Sequence, residues 1–391
     1  MKKEEKKKRE KGTVIVLVTA AVVFFAALFC IYSKDIRNGA GDVFTSSGDE
    51  LVEFEKAAVI EILSEDLEAD EVAEGAYKGT QELKTIVKSG RYKNEEMVVY
   101  NYIGPLSGVP VSEGDSVTIT IKTQPTGDHS ATVYEFNRIP ILAAFLVLFF
   151  IVIILVGGRT GLKSLIGLII TVVCLFAILI PLLLRGAPTI LTTFIICCYI
   201  ALVCFAILGG VHRKTISAFL GTVSGAFLAM MFGLTAQFFA KIDGFRLEDA
   251  EPLLQLKYAG APISLKGLLV AGIIISALGA VMDVAMSISS ALEEVHAANP
   301  TLSRKELFRS GMNIGRDMAG TMTNTLILAF LGSEFTLIIF LYSRGLSFYH
   351  LYSTAFVALE TISGLSASIG MILAIPLTAL ISAALIANSK K

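Results

Sequence analysis

Charge is scarce in this chain of 391 residues: Asp, Glu, Lys and Arg make up 17% of it, against about a quarter in ordinary soluble domains. With a 54% hydrophobic share and a mean hydropathy of +0.70, that scarcity excludes an ordinary soluble globular protein. Histidine is also rare. His129, His212, His296 and His350 lie in a polar segment or near loops, and no HExxH motif is present, so a zinc hydrolase within an apolar span has no ligands. Gly364-Leu-Ser366 faintly resembles a serine-protease motif, but no histidine lies at a matching depth to activate the serine. No Walker motif occurs, so any work must draw on an ion gradient or another subunit. These absences argue against an enzyme, and neither a cofactor nor a nucleic-acid partner is expected. No metal ligand set can be assigned.

Cysteine is absent from Lys34 to Arg138, so that segment must be held by its own core. All five cysteines, Cys30, Cys174, Cys197, Cys198 and Cys204, fall in apolar stretches, where they read as small buried hydrophobes.

The remaining charge is sorted along the chain, which the formal net charge of -1 conceals. The sequence opens with a tail, residues 1–12, carrying seven basic residues, then runs uncharged from Thr13 to Ser33. About 20 apolar residues give about 30 Å of helix, enough for a membrane span. The apolar core of a cleaved secretory signal is shorter, about 7 to 15 residues, and Phe29 before Cys30 spoils a lipoprotein-type processing site. The reading is a retained signal anchor with its basic tail in the cytosol.

Residues 34–138 carry 20 Asp or Glu against 10 Lys or Arg, the composition of a soluble domain placed outside the membrane. Apolar-alternating, β-branched stretches at Val52 to Leu63, Glu82 to Val87, Met97 to Tyr102, Ser116 to Lys122 and Ala131 to Phe136 are separated by Gly, Asp, Asn and Pro clusters. They predict a small closed barrel of OB-like type.

Residues 139–391 form the third part, a helical membrane domain. Spans are predicted near Ile139 to Val156, Ser164 to Leu184, Thr189 to Gly209, Thr215 to Phe239, Gly267 to Ser287 and Gly320 to Tyr342, followed by a long apolar stretch from Leu351 to Asn388. With the amino end inside, Arg159, Lys163, Arg213, Lys214, Arg304, Lys305, Arg309, Arg316, Lys390 and Lys391 all fall on the cytosolic side, as the positive-inside rule requires. Eight spans with both termini cytosolic is the predicted topology. Leu351 to Asn388 is about 57 Å as a helix, too long for a hydrocarbon layer of about 30 Å. A broken or re-entrant last span is therefore expected, with the break near Ser363 to Gly370. The alternative is two full spans, which would put Lys390 and Lys391 on the wrong side.

Four carboxylates fall in the membrane part: Asp283, Asp317, Glu334 and Glu360. Such residues normally face a cavity, a partner or the protein interior, because lipid cannot solvate them. Ser276, Gly279, Asp283, Ser287 and Ser290 recur at helical spacing, as do Asn313, Asp317, Thr321 and Asn324. Ser353, Ser363, Gly364 and Ala367 make a third small-residue face around Glu360, while Glu334 lies about 100° around the helix from Asp317. Three polar faces, each with an acid, suffice for a hydrophilic path or a cation site. The bland reading is that these residues hold the helices together, or that Asp317 pairs with an arginine. Gly221 with Gly225, and Gly311 with Gly315, have small-xxx-small spacing and read as packing positions. Ser303 and Glu306 form a capping box opening a short basic amphipathic helix, which either lays Leu307, Phe308 and Met312 on the membrane surface with Arg304, Lys305 and Arg309 toward lipid phosphates or is a plain cytosolic elbow.

Val156-Gly-Gly-Arg-Thr-Gly-Leu-Lys-Ser164, Asp283-Val-Ala-Met-Ser-Ile-Ser289 with Glu293 and Glu294, and Gly311-Met-Asn-Ile-Gly-Arg-Asp-Met-Ala-Gly-Thr-Met-Thr-Asn-Thr325 resemble the YibE/F-like bacterial membrane proteins. The resemblance implies a multi-pass protein of the bacterial cytoplasmic membrane, often accompanied by a smaller member of the same family that lacks the outer domain. It implies no settled substrate or reaction. Two function classes stay open. One is a transporter or permease for a cation or a proton-coupled substrate, with Asp283 and Asp317 as binding or relay groups, Asn313, Thr321 and Asn324 as neutral oxygens, and Glu360 at an outer gate. The other is a non-transporting envelope scaffold or receptor whose outer domain binds a partner or ligand.

Overall fold

A computed structural model describes residues 51–123, 129–242, 250–258, 260, 262–345 and 347–387; the anchor expected at 13–33, its basic tail and Lys390 and Lys391 lie outside these. The chain divides into two compact units, one containing the β-rich segment and the other the helices after Ile154.

The first unit is built on five strands: β1 (Leu51–Ala69), β2 (Tyr77–Val87), β3 (Glu96–Ile103), β4 (Ser116–Thr123) and β5 (His129–Phe136). They close into a barrel in the order β1-β2-β3-β5-β4, with β3 and β5 parallel and the other neighbours antiparallel. β1 is long because it serves two partners. Its first half pairs with β4 and its second half with β2. Period-two alternation points Leu83, Val87, Val99, Val117, Ile119 and Ile121 inward, where they are buried. Gln81 and Asn101 share that interior: Asn101 Nδ2 donates to Gln81 Oε1 at 3.0 Å, and Gln81 exchanges hydrogen bonds with the Val111 backbone at 3.0 and 3.1 Å. A Cβ at Gly79 would fall 1.9 Å from Asp66 O, and its φ is +137°, so only glycine lets β2 lie against β1 there. Asp70 Oδ1 accepts the Val72 and Ala73 N–H groups at the hairpin tip, which lowers its carboxyl below the ordinary range.

The helical unit follows from the apolar runs. Ile139–Leu184 comprises α1 (Ile139–Val173), a π-helical turn (Cys174–Leu179) and α2 (Ile180–Leu184). As one rod it would be about 69 Å long, but Gly158, at φ 54° and ψ -130°, interrupts the helical backbone. The chain continues through α3 (Thr189–Gly209), α4 (Arg213–Ala240), α5 (Ala250–Tyr258), α6 (Leu268–Ala298), α7 (Arg304–Ser333), α8 (Phe335–Ser343), α9 (Phe348–Ser353) and α10 (Ala355–Ala387). Among the described residues, five helices are long and apolar enough to cross a membrane, or six if the bent pair α7 and α8 is one span.

α6 is the central post. One side packs Ile273, Ala277, Val281 and Ile288 into a core shared with α7 and α10; the other packs Val270, Ile274, Leu278 and Ala285 into a core shared with α3 and α4. The small-xxx-small positions do close packing, as their spacing predicts. A Cβ at Gly225 would lie 2.6 Å from Ala374 Cβ, one at Gly370 2.5 Å from Ala229 Cβ, and one at Gly315 2.1 Å from the Ile375 side chain. Ser217, Ser289 and Ser382, all buried, join α4, α6 and α10 through hydroxyl contacts of 3.2 and 3.0 Å.

Two expectations are corrected here. The last helix is not broken between Ser363 and Gly370: α10 runs unbroken through that stretch and through Pro376. Ser363 and Ser368 return their hydroxyls to the carbonyls of Leu359 and Gly364 at 3.0 and 2.8 Å, and Gly364 and Gly370 serve as seats for Phe330 and Ala229. The chain breaks earlier, at Thr354, whose backbone is extended, so Ser353 belongs to α9 and not to the helix carrying Glu360. The second correction concerns the helix after Ser303. The capping box forms, but it opens the 30-residue α7, and Leu307 is fully buried in the bundle core, not laid on a membrane surface.

Candidate functional site

The site begins where α7 fails to continue. Glu334 leaves the helical conformation at φ -96° and ψ 12°, and the axis of α8 bends 61° away from α7. The break sits directly across from the first turns of α10. There Glu334 and Glu360, both half-buried, line one cavity of about 410 Å³, whose other walls include Phe330, Leu341, Tyr352 and Thr361. Phe330 closes against α10 because Gly364 offers no side chain; a Cβ there would be 3.3 Å from the phenyl ring. Thr361 spends its hydroxyl on the Val357 carbonyl at 2.6 Å, and Ser333 spends its own on Phe330 at 2.8 Å. The other polar side chains that line the cavity are the two carboxylates and the Tyr352 phenol. Two acids in an otherwise apolar chamber at a helix break can hold a cation or share and pass a proton.

The other expected site residues are arranged differently. Asp283 lies on the outward face of α6 with Ser287, both exposed, and a Cβ at Gly279 on the same face would meet nothing within 4 Å. On α7, Asn313, Asp317, Thr321 and Asn324 are all exposed, opposite the face where Gly311 and Gly315 pack into the bundle. Arg316 leans toward Asn313 Oδ1 at 3.5 Å, and the Thr321 hydroxyl donates back to Met318 O at 3.2 Å. Asp283 and Asp317 line neither this cavity nor the larger one between α3 and α4. Among the described residues no cluster of three or more His, Cys, Asp or Glu could hold a metal ion.

Sequence reasoning missed two features. Glu334 and Glu360 belong together, although the only signal was that both fall toward the same side of the expected membrane. The Lys214–Glu293 ion pair, at 3.0 Å, ties α4 to α6 just beyond the three buried serines, and nothing in either residue's surroundings announces it.

Residues 145–388 match the YibE/F-like protein family. The match takes in more than half of the chain, including α7, α8 and α10, and the chain belongs to that family. No curated protein and no solved structure matches it.

Proposed function

We propose that this YibE/F-like protein is a membrane transporter or permease whose substrate is a cation or moves with protons. The observation that carries the reading is the meeting of Glu334 and Glu360 in one cavity at the 61° break between α7 and α8. A carboxylate at the centre of a span costs about 3 kcal/mol even on the lenient insertion scale. Two of them in a shared chamber relieve that cost by a bound cation or a shared proton, and a discontinuous helix is the backbone arrangement that transporters place at such a site. Asp283 and Asp317, with Asn313, Thr321 and Asn324, furnish polar faces by which a hydrated ion approaches. In this reading the protein has no catalytic chemistry of its own.

The proposed topology has eight spans, counting residues 13–33 and taking Gly158 as the turn between two spans of Ile139–Leu184. Both termini are cytosolic, residues 34–138 lie outside, and the membrane is the bacterial cytoplasmic membrane. A smaller member of the same family is the proposed protein partner. The test is flux into proteoliposomes driven by a proton or cation gradient. Glu334→Gln and Glu360→Gln should each lower flux at least tenfold while the protein still elutes as one folded species, and undiminished flux in both would remove the chamber from the mechanism.

A second reading is favoured by the barrel, which closes on a core of its own. In that reading the barrel binds an envelope partner and the bundle is a scaffold. Deleting residues 34–138 separates the two, since a transporter keeps basal flux and a scaffold loses all function.

A further inference from the structure

A cavity of about 840 Å³ lies between the amino end of α3, the carboxy half of α4 and the turn that opens α6. Its two ends differ in chemistry. At one end Phe194 and Phe227 meet edge-on, 6.1 Å apart at 68°, and Met230 and Leu234 extend that apolar wall along α4. At the other end Thr189 Oγ1 donates to Ser264 O at 3.0 Å, and Gln237 lines the wall. Phe227 and Phe238 stay exposed along the side, at 46% and 77%, so the cavity opens laterally from the bundle.

Its length identifies what fits. From Phe227 to Gln237 is ten residues of helix, about 15 Å, which is half of a hydrocarbon layer of about 30 Å. That is the depth of one leaflet. One turn beyond Gln237, Lys241 ends α4 in the left-handed conformation, φ 52°, its N–H bonded to Gln237 O, with an exposed side chain. A long apolar slot, a few polar groups at one end and a cation just past them match an acyl chain, its ester region and its phosphate in that order.

We propose that this cavity is a phospholipid site, holding one acyl chain against Phe194, Phe227, Met230 and Leu234, with Lys241 meeting the lipid phosphate. The site is separate from the Glu334 and Glu360 chamber and does not depend on the transport reading. A lipid wedged between α3, α4 and α6 would couple the seating of these helices to the leaflet around them.

The chain contains no tryptophan, which supplies a clean probe. Phe227→Trp, purified in detergent, is titrated with phospholipids brominated along the acyl chain. Quenching should saturate near one lipid per chain, at least fivefold tighter for phosphatidylglycerol than for phosphatidylcholine. Lys241→Asn, a residue that tolerates the left-handed conformation, should abolish that headgroup preference and keep the saturation. Inorganic phosphate should not displace the lipid; displacement would assign the mouth to a free anion and overturn the proposal. Quenching that rises without saturation, as at a control Phe176→Trp on the exposed π-helical turn, would mean ordinary annular lipid and would also overturn it. Phe194→Trp reads the same wall if Phe227→Trp does not fold.

Discussion

The four carboxylates that the sequence places within the expected spans, Asp283, Asp317, Glu334 and Glu360, fall into two pairs with opposite surroundings. Glu334 at the end of α7 and Glu360 near the start of α10 line one cavity and are half-buried, whereas Asp283 and Asp317 stand exposed in the middle of α6 and α7, whose other faces are packed. The difference comes from neighbours rather than from the acids. α6 packs two sides into two cores and α7 packs one, and both leave the acid-bearing face outside that packing, while the α7 break folds Glu334 back toward α10. A polar stripe at helical spacing thus records that a face is polar, and not whether that face looks into the protein.

The sharpest test of this contrast is functional. If the chamber performs the transport step, Glu360→Gln should reduce proteoliposome flux at least tenfold, and Asp283→Asn or Asp317→Asn should reduce it by about threefold or less. Losing the charge of an exposed group changes little because solvent substitutes for it, whereas a half-buried carboxylate among mostly apolar walls is harder to replace. Equal losses at both pairs would erase the distinction and place the two aspartates in the transport step itself, not only on its approach.

Stability should divide along the same line. Gly225→Val places branches where even a Cβ would lie 2.6 Å from Ala374 and 2.7 Å from Val281. Overpacking of this kind costs about 1 to 3 kcal/mol, and the midpoint of thermal inactivation in detergent should fall by several degrees. The barrel offers a comparison with a polar interior. Gln81→Leu removes the buried partner of the Val111 N–H and carbonyl and one of the two acceptors of the Asn101 amide, which keeps Val109 O, a loss of about 1 to 3 kcal/mol, which urea unfolding of the variant and its parent would measure.

Much of this architecture was legible from residues. Alternation in Glu82 to Val87 and Ser116 to Lys122 placed strands that the barrel contains, and the spacing of Gly221 with Gly225 and Gly311 with Gly315 marked helix faces that do pack closely. The location of the break was not legible, because Ser363 to Gly370 has the composition of a hinge and equally that of a tight helix contact. Glycine and serine report only that something comes near or something bends; the partner decides which. In α10 the partners are Phe330 and Ala229, both far along the chain. That Glu334 and Glu360 line one cavity was hidden for the same reason, since a bend in one helix and the start of another bring them there.

The smallest expected effect tests the open stripe itself. Gly279 is one turn from Asp283, and a Cβ there meets no atom within 4 Å. In an exposed helix interior Gly→Ala is worth up to about 1 kcal/mol of added stability. Gly279→Ala should therefore leave the protein as stable or slightly more so, read as a thermal midpoint unchanged or raised by a few degrees. The same holds for Gly320→Ala on the α7 stripe, where the added Cβ also meets nothing. If instead either substitution lowers the midpoint or dissociates an oligomer on a sizing column, the stripe is covered by another chain in the membrane. The contrast between a half-buried pair and an open pair would then become a contrast between two covered sites, one within the bundle and one between subunits.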